Sequence, residues 1–427
     1  MKTLIRNGRL IDPASDRDEI VDVLVSGGHV EKIDKNLPVT GADIEVVDAT
    51  GRVVAPGLID MHAHLREPGY EYKETIRTGT LAAVRGGFTS VVCMANTDPV
   101  NDSRSVTEFI VRTAHSEGVA RVFPCGAITK GLKGEELAEI GDMCRAGAVA
   151  LSDDGKSVRN AGLLLKAMEY AGPFGLPVIS HCQDEDLSHG YVHEGRASLF
   201  SGLDAVPALA EETVARRDIM LARYVGATVH ITHISSAGTV AILRDEKVKY
   251  KRVTGDTCPH YFTLTDEATL TYDTNTKINP PLRSRDDVAA IKEGLRDGTI
   301  DIIATDHAPH DIPSKDMEFN VAAYGIVGLE TALALSLGLV HEGVLSLKEL
   351  LRKFTQNPAL LLKLPYGALH EGAAADLILF DPDAAWVVDK GQFASKGKNT
   401  PFQGWQLKGR NLLTMVGGRI VYRDPSL

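Results

Sequence analysis

Between about residue 56 and residue 365 the chain alternates short apolar runs with stretches of helical length, the pattern of βα units laid around a parallel sheet. Eight such runs stand out: Leu58 to His62, Thr89 to Met94, Arg121 to Cys125, Ala148 to Ser152, Pro177 to His181, Thr228 to His233, Val253 to Cys258 and Ile300 to Thr305. Eight strands over about 250 residues is the count of an α/β fold of the (β/α)8 TIM-barrel type. A doubly wound sheet would place a glycine-rich phosphate turn after its first strand, where this chain has His62-Ala63-His64. The two ends have another texture. Leu4-Ile5 and Leu10-Ile11 flank Asn7-Gly8, Val21 to Val25 and Val30 to Ile33 flank Gly27-Gly28, and near the C-terminus Met415-Val416 and Arg419 to Tyr422 flank Gly417-Gly418. Asn-Gly and Gly-Gly between apolar runs predict hairpins, because both turn residues tolerate positive φ.

The polar residues with metal or acid/base chemistry fall at the C-terminal ends of the eight runs, which in a barrel form the catalytic face. His62 and His64 close the first, Asn96 follows the second, Asp153-Asp154 close the fourth, His181 the fifth, His233 the sixth and Asp306-His307 the eighth. Residues two apart on an extended segment project to one side, roughly 6.6 Å apart at Cα, so His62 and His64 can converge on one divalent ion. Singly, each histidine reads as a hydrogen-bonded residue at a strand end, and Asp306 as half of a salt bridge. It is the conjunction at one end of five strands that points to metal. A strand sends Asp153 and Asp154 to opposite faces, so one of them faces the axis, and a carboxylate between two pairs of histidines can bridge two ions about 3.5–4 Å apart. His230, three before His233, lies on the other face and reads as structural.

Composition narrows the partners. The 427 residues carry 57 acidic and 46 basic side chains, a net charge of −11, with 44% hydrophobic and 24% charged residues, the balance of a folded protein. That charge argues against nucleic acid and anionic membranes but not against a small anion, which senses only the local field. Five cysteines without a CxxC pair suit a reducing cytoplasm and offer no thiolate zinc site. The N-terminus lacks the apolar core of a signal peptide, and Gly325 to Val340, interrupted by Glu330, is too short to span a bilayer.

Pro56-Gly-Leu-Ile-Asp-Met-His-Ala-His64, with histidines closing the fifth and sixth runs and Asp306 after the eighth, resembles the amidohydrolase superfamily. Within it, His64-Leu-Arg-Glu-Pro-Gly69, Met94-Ala-Asn-Thr97, Ser152-Asp-Asp-Gly155, Ile278-Asn-Pro-Pro-Leu-Arg283 and Ala304-Thr-Asp-His-Ala-Pro-His310 are similar to the class I dihydroorotases. The resemblance implies a catalytic barrel over 56–365 and a small β-sandwich domain built from 1–55 and 366–427. It also implies reversible zinc-dependent cyclisation of N-carbamoyl-L-aspartate to dihydroorotate, a step of pyrimidine biosynthesis. His62, His64 and Asp306 would hold one Zn2+, His181 and His233 a second, and Asp154 with a hydroxide would bridge them. Several relatives bridge with a carboxylated lysine instead, and Asp154 places this chain in the aspartate-bridged subgroup, with Asp153 behind it. Asp306 would carry the proton.

For the substrate carboxylate the resemblance supplies Arg66, whose guanidinium can present two parallel donors, a geometry lysine lacks. It adds His64, Asn96, Asn279, His310 and the backbone of Tyr324-Gly325. The polar segment Asp311 to Gly325 is expected to be a lid or a static long loop. Cys182 and Cys258 are expected to pack, His307 to be structural, and His260 is left unassigned. The implied partners are a homodimer and aspartate transcarbamoylase. The rival readings are a hydantoinase or allantoinase, a mononuclear deaminase of the same superfamily, and a non-catalytic scaffold for the transcarbamoylase.

Overall fold

The computed structural model describes residues 2–38 and 44–427. Five strands open the chain: β1 (Lys2–Asp12), β2 (Arg17–Ser26), β3 (His29–Asp34), β4 (Ile44–Asp48) and β5 (Val53–Pro56). After Gly57 the barrel begins, with β6 (Leu58–Ala63), β7 (Phe88–Cys93), β8 (Arg121–Gly126), β9 (Ala150–Leu151) and β10 (Val178–Ser180). A short excursion follows, in which β11 (Val192–His193) and β12 (Ala205–Val206) pair with each other. The barrel then resumes with β13 (Val229–Ile231), β14 (Val253–Thr257) and β15 (Ile302–Ile303). Each of the eight apolar runs of the sequence therefore overlaps a barrel strand. They pair in chain order, β6 to β15. The ring closes through a bridge between Ala63 and His307 and the bond from His64 N–H to His307 O at 2.8 Å.

These runs are continuous rather than alternating because both faces of a barrel strand are buried. Val92 and Met94 point inward with Met61, Cys125, Ala150, Ile179, Ile302 and Ala304, filling the barrel interior. Their neighbours Val91 and Cys93 point outward into the layer between strands and helices, with Ile110, Leu164, Ile219, Leu243 and Ile291. At each strand's C-terminal end this apolar filling gives way to the polar residues.

Three strands finish the chain, β16 (Leu377–Val387), β17 (Gln406–Val416) and β18 (Arg419–Arg423). They join the opening strands in one curled eight-stranded sheet of order β18-β17-β16-β5-β1-β2-β3, with β4 on β1. Residues of both chain ends share one core, including Val23, Val25, Ile33, Leu377, Leu379, Leu413 and Met415. The Gly27-Gly28 and Gly417-Gly418 turns form as the sequence predicts, and they also touch: a Cβ on Gly418 would lie 2.7 Å from the Gly28 Cα. Asn7-Gly8 departs from expectation. No hairpin forms there, because β1 runs straight through with a register shift between Ile5 and Gly8, and the Asn7 N–H is taken by Asp22 Oδ1 at 2.8 Å. A bulge uses the same positive φ as a turn, so local sequence cannot separate the two.

Candidate metal centre and substrate pocket

The C-terminal ends of the barrel strands bring His62, His64, Asp154, His181, His233 and Asp306 together, all but Asp306 almost wholly buried. His62 Nε2 lies 3.3 Å from Asp154 Oδ1 and 3.5 Å from Asp306 Oδ1. His64 Nε2 lies 3.1 Å from Asp306 Oδ1 and 3.5 Å from Asp154 Oδ2. On the other side of Asp154, its Oδ1 is 3.6 Å from both His181 Nδ1 and His233 Nε2. Asp154 thus stands between His62 and His64 on one side and His181 and His233 on the other.

These separations test whether a metal fits. Two ligand atoms at 2.0–2.1 Å from one tetrahedral ion stand about 3.3 Å apart. The spacings of 3.1–3.6 Å around Asp154 and Asp306 match that edge and are long for hydrogen bonds between these groups, whereas His181 Nδ1 and His233 Nε2 stand 2.8 Å apart, at hydrogen-bond distance. His62 Nε2 and Asp154 Oδ1 are buried without a hydrogen-bond partner, a cost that a cation between them removes. Without one, burial opposes charge on His62, yet Asp154 and Asp306 draw it up to about 10, and the histidines in turn hold both carboxylates far below their usual range. The donor set fits a divalent ion.

Neighbouring groups fix which ring nitrogen faces the site. Thr232 Oγ1 donates to Asp256 Oδ2 at 2.9 Å and accepts from His62 Nδ1 at 2.9 Å, leaving Nε2 as the inward atom. His64 Nδ1 donates to Asn96 Oδ1 at 2.8 Å with the same result. His181 is oriented the other way: Nε2 donates to Gln183 Oε1 at 2.8 Å, so Nδ1 turns inward. Such outer contacts set tautomer and ring angle and contribute to affinity. His233 and Asp306 have φ of 41° and 47°, a conformation non-glycine residues seldom adopt and one that concentrates at functional sites. Asp153 points away, accepting from Ile128 N at 2.7 Å, from Thr129 N at 2.9 Å and from the Thr129 hydroxyl. His230 is structural, 2.7 Å from Asp256 Oδ2, and His307 packs against Glu74.

A cavity of about 260 Å³ opens over the cluster, lined by His64, Arg66, Asn96, Asn279, His310, Tyr324 and Gly325 beside four of the proposed ligands. Every substrate contact expected from the sequence is therefore in one pocket. Arg66 donates Nε to Pro309 O at 3.3 Å, and no carboxylate of the described residues lies within 4.0 Å of its guanidinium. His310 Nε2 donates to Tyr324 O at 2.8 Å, and burial, Arg66, Lys73 and Lys315 push the ring down to about 2, so it is neutral. Gly325 contributes shape rather than free backbone groups: its N–H goes to Lys277 O at 2.9 Å and its carbonyl to Lys315 Nζ and Asn399 Nδ2. With φ of 134° and a Cβ that would meet Ala308 Cβ at 2.7 Å, the position requires glycine.

Two residues absent from the sequence reading complete the site. Gln183 Oε1 also accepts from Asn279 Nδ2 at 2.6 Å, tying a proposed metal ligand to a pocket residue. Its signal was its place two residues after His181, on the same side of an extended segment. Asn399, from the connection between β16 and β17, donates Nδ2 to Ala308 O and Gly325 O and accepts from His310 N–H at 3.0 Å. Nothing in its local sequence marks that role.

A dihydro-orotase-like family model matches residues 51–239, and an amidohydrolase family model matches 280–422. The dihydroorotase of Pelotomaculum thermopropionicum is 54% identical over 426 residues, 99% of each chain. That of Syntrophus aciditrophicus is 52% identical over 425 residues, 99% of this chain and all of the other. Among solved structures, the L-hydantoinase (dihydropyrimidinase) from Arthrobacter aurescens superposes with a TM-score of 0.89 at 25% identity, covering 99% of this chain and 96% of that one.

Proposed function

The chain belongs to the dihydroorotase family of amidohydrolases, and from that premise we propose how its pocket interconverts N-carbamoyl-L-aspartate and dihydroorotate. It is a hydrolase of a cyclic amide. The observation that carries the substrate assignment is Arg66, a guanidinium with no carboxylate of the described residues within 4.0 Å, opening on the same cavity as the His/Asp cluster. A neutral cyclic amide would leave that guanidinium without a directly bonded carboxylate, whereas the carboxylate of dihydroorotate pairs with it through two parallel bonds.

We assign two zinc ions to the cluster, one on His62, His64 and Asp306 and one on His181 and His233, with Asp154 shared. Ions held there would supply Lewis acidity toward the ring carbonyl and a water deprotonated near neutral pH. The chain's own residues do the rest. Asn96 and Gln183 lock His64 and His181 so that the ligand set is formed before substrate arrives. Asp306, the most exposed of the six, accepts the proton of the attacking water and delivers it to the ring nitrogen as the C–N bond breaks. Arg66, Asn96, Asn279 and the neutral His310 orient the substrate. Hydrolysis turns a monoanion into a dianion and releases a proton, so ring closure consumes one and is favoured at lower pH.

Family membership also supports the division into a barrel over 56–365 with a domain from 1–55 and 366–427. It supports a homodimer and an association with aspartate transcarbamoylase as well, which size analysis of the protein alone and mixed distinguishes. Four buried, unpaired cysteines among the five agree with a cytoplasmic setting. The substrate assignment is tested by comparing dihydroorotate with 5-substituted hydantoins. Turnover of dihydroorotate with little of the hydantoins is expected, and the reverse preference refutes it.

A further inference from the structure

Lys277 and Lys315 are 1% and 7% exposed, yet no carboxylate of the described residues lies within 4.0 Å of either ammonium. Lysine is almost never this buried without a partner of opposite charge. Lys315 Nζ donates to Ala323 O at 2.7 Å and Gly325 O at 3.1 Å. Lys277 Nζ donates to Asn320 O at 2.9 Å and lies over the rings of Tyr324 and Tyr191, at 4.4 and 4.7 Å from their centroids. Both lysines thus meet at Tyr324-Gly325, the wall of the substrate pocket, where the Lys277 carbonyl also takes the Gly325 N–H. Carbonyl dipoles and π faces soften the burial of two ammonium groups but supply no countercharge. Burial, and for Lys315 the neighbouring Lys277 charge, bring Lys315 down to about 7 and Lys277 to about 8, with Asp273 offsetting only part of the fall at Lys315. The charge is felt across the wall, since Lys315 is among the groups that depress His310 on the pocket side.

We propose that Lys277 and Lys315 are specificity-determining residues for negative charge in the pocket, favouring the dianionic ring-opened compound over the monoanionic ring through the Tyr324-Gly325 wall. The inference rests on the substrate reading above. A field acts on each charge of a ligand, so a dianion loses more than a monoanion when the field is weakened.

The test is KM in both directions for the metal-replete wild type, Lys315→Met and Lys277→Met. The expected rise in Lys315→Met is about tenfold for carbamoyl aspartate and about threefold for dihydroorotate, with inhibition by neutral dihydrouracil unchanged. Lys277→Met repeats the larger rise for the dianion in a second variant should the first fail to fold. Equal rises for the two substrates mean that the lysines only shape the wall, and they overturn the inference, as do unchanged KM values. Wild-type protein that turns over neither compound overturns the substrate reading itself.

Discussion

Replacing Arg66 by lysine keeps the charge and removes the geometry, so it isolates what the guanidinium does. Arg66 has a φ of 63°, a cost that lysine shares, and backbone strain therefore cancels between the two. Its Nε is engaged by Pro309 O, and Nη2 stands 3.4 Å from His310 Nε2, a nitrogen that already donates to Tyr324 O, so both terminal nitrogens keep protons for substrate. A lysine ammonium reaching the same carboxylate replaces two parallel charge-assisted bonds by one. Each such bond contributes about 1.5–3 kcal/mol, so kcat/KM falls roughly 10- to 150-fold, most of it through a higher KM. Steady-state kinetics in both directions is the assay, and kcat/KM falls by the same factor in each because the overall equilibrium is fixed. Arg66→Met removes the second bond as well and falls further. An unchanged KM in Arg66→Lys, or an equal loss on dihydrouracil, which has no carboxylate, refutes the clamp.

Asp154→Asn removes the carboxylate shared between the two ligand groups, and metal analysis is expected to show at most one ion per chain with turnover down at least about 100-fold, more than an outer contact costs. Gly325→Ala forces a Cβ against Ala308 at a positive φ, and thermal unfolding should show a loss of about 1–3 kcal/mol with a raised KM. Burial raises Glu330 from 4.5 to about 7, so between these values the folded state holds a proton that the unfolded chain has lost, and stability declines as pH rises through that window. Urea titrations of Glu330→Gln should lack up to about 3 kcal/mol of that decline; a wild-type difference independent of pH contradicts the assignment.

The barrel was legible because its strands are buried on both faces and bounded by helices, which makes each an isolated apolar run. Even β9 and β15, two residues long, sat inside such runs. The ligand set was legible for a related reason, since a polar residue ending an apolar run is conspicuous and six of them share one end of one barrel. What escaped was carried by contacts without periodicity. Asn399 reaches His310 across 89 residues of chain, and Gln183 ties His181 to Asn279, which arrives from the loop ahead of the helix Arg285–Arg296. The segment from Asp311 to Gly325 was ambiguous between lid and static loop. In the fold it is tied down by Lys277 and Lys315, side chains whose burial a local polar pattern does not announce. Asn7-Gly8 misled because a bulge and a hairpin ask the same backbone conformation of the same residues.

The central claim, that the His/Asp cluster works as a metal centre on dihydroorotate, is tested most directly by following the interconversion of carbamoyl aspartate and dihydroorotate before and after chelation. The account predicts turnover in both directions by metal-replete protein, its loss on chelation, and its return when zinc is restored to about two ions per chain. Turnover that survives complete metal removal, or metal-replete protein inert toward both compounds, would contradict it.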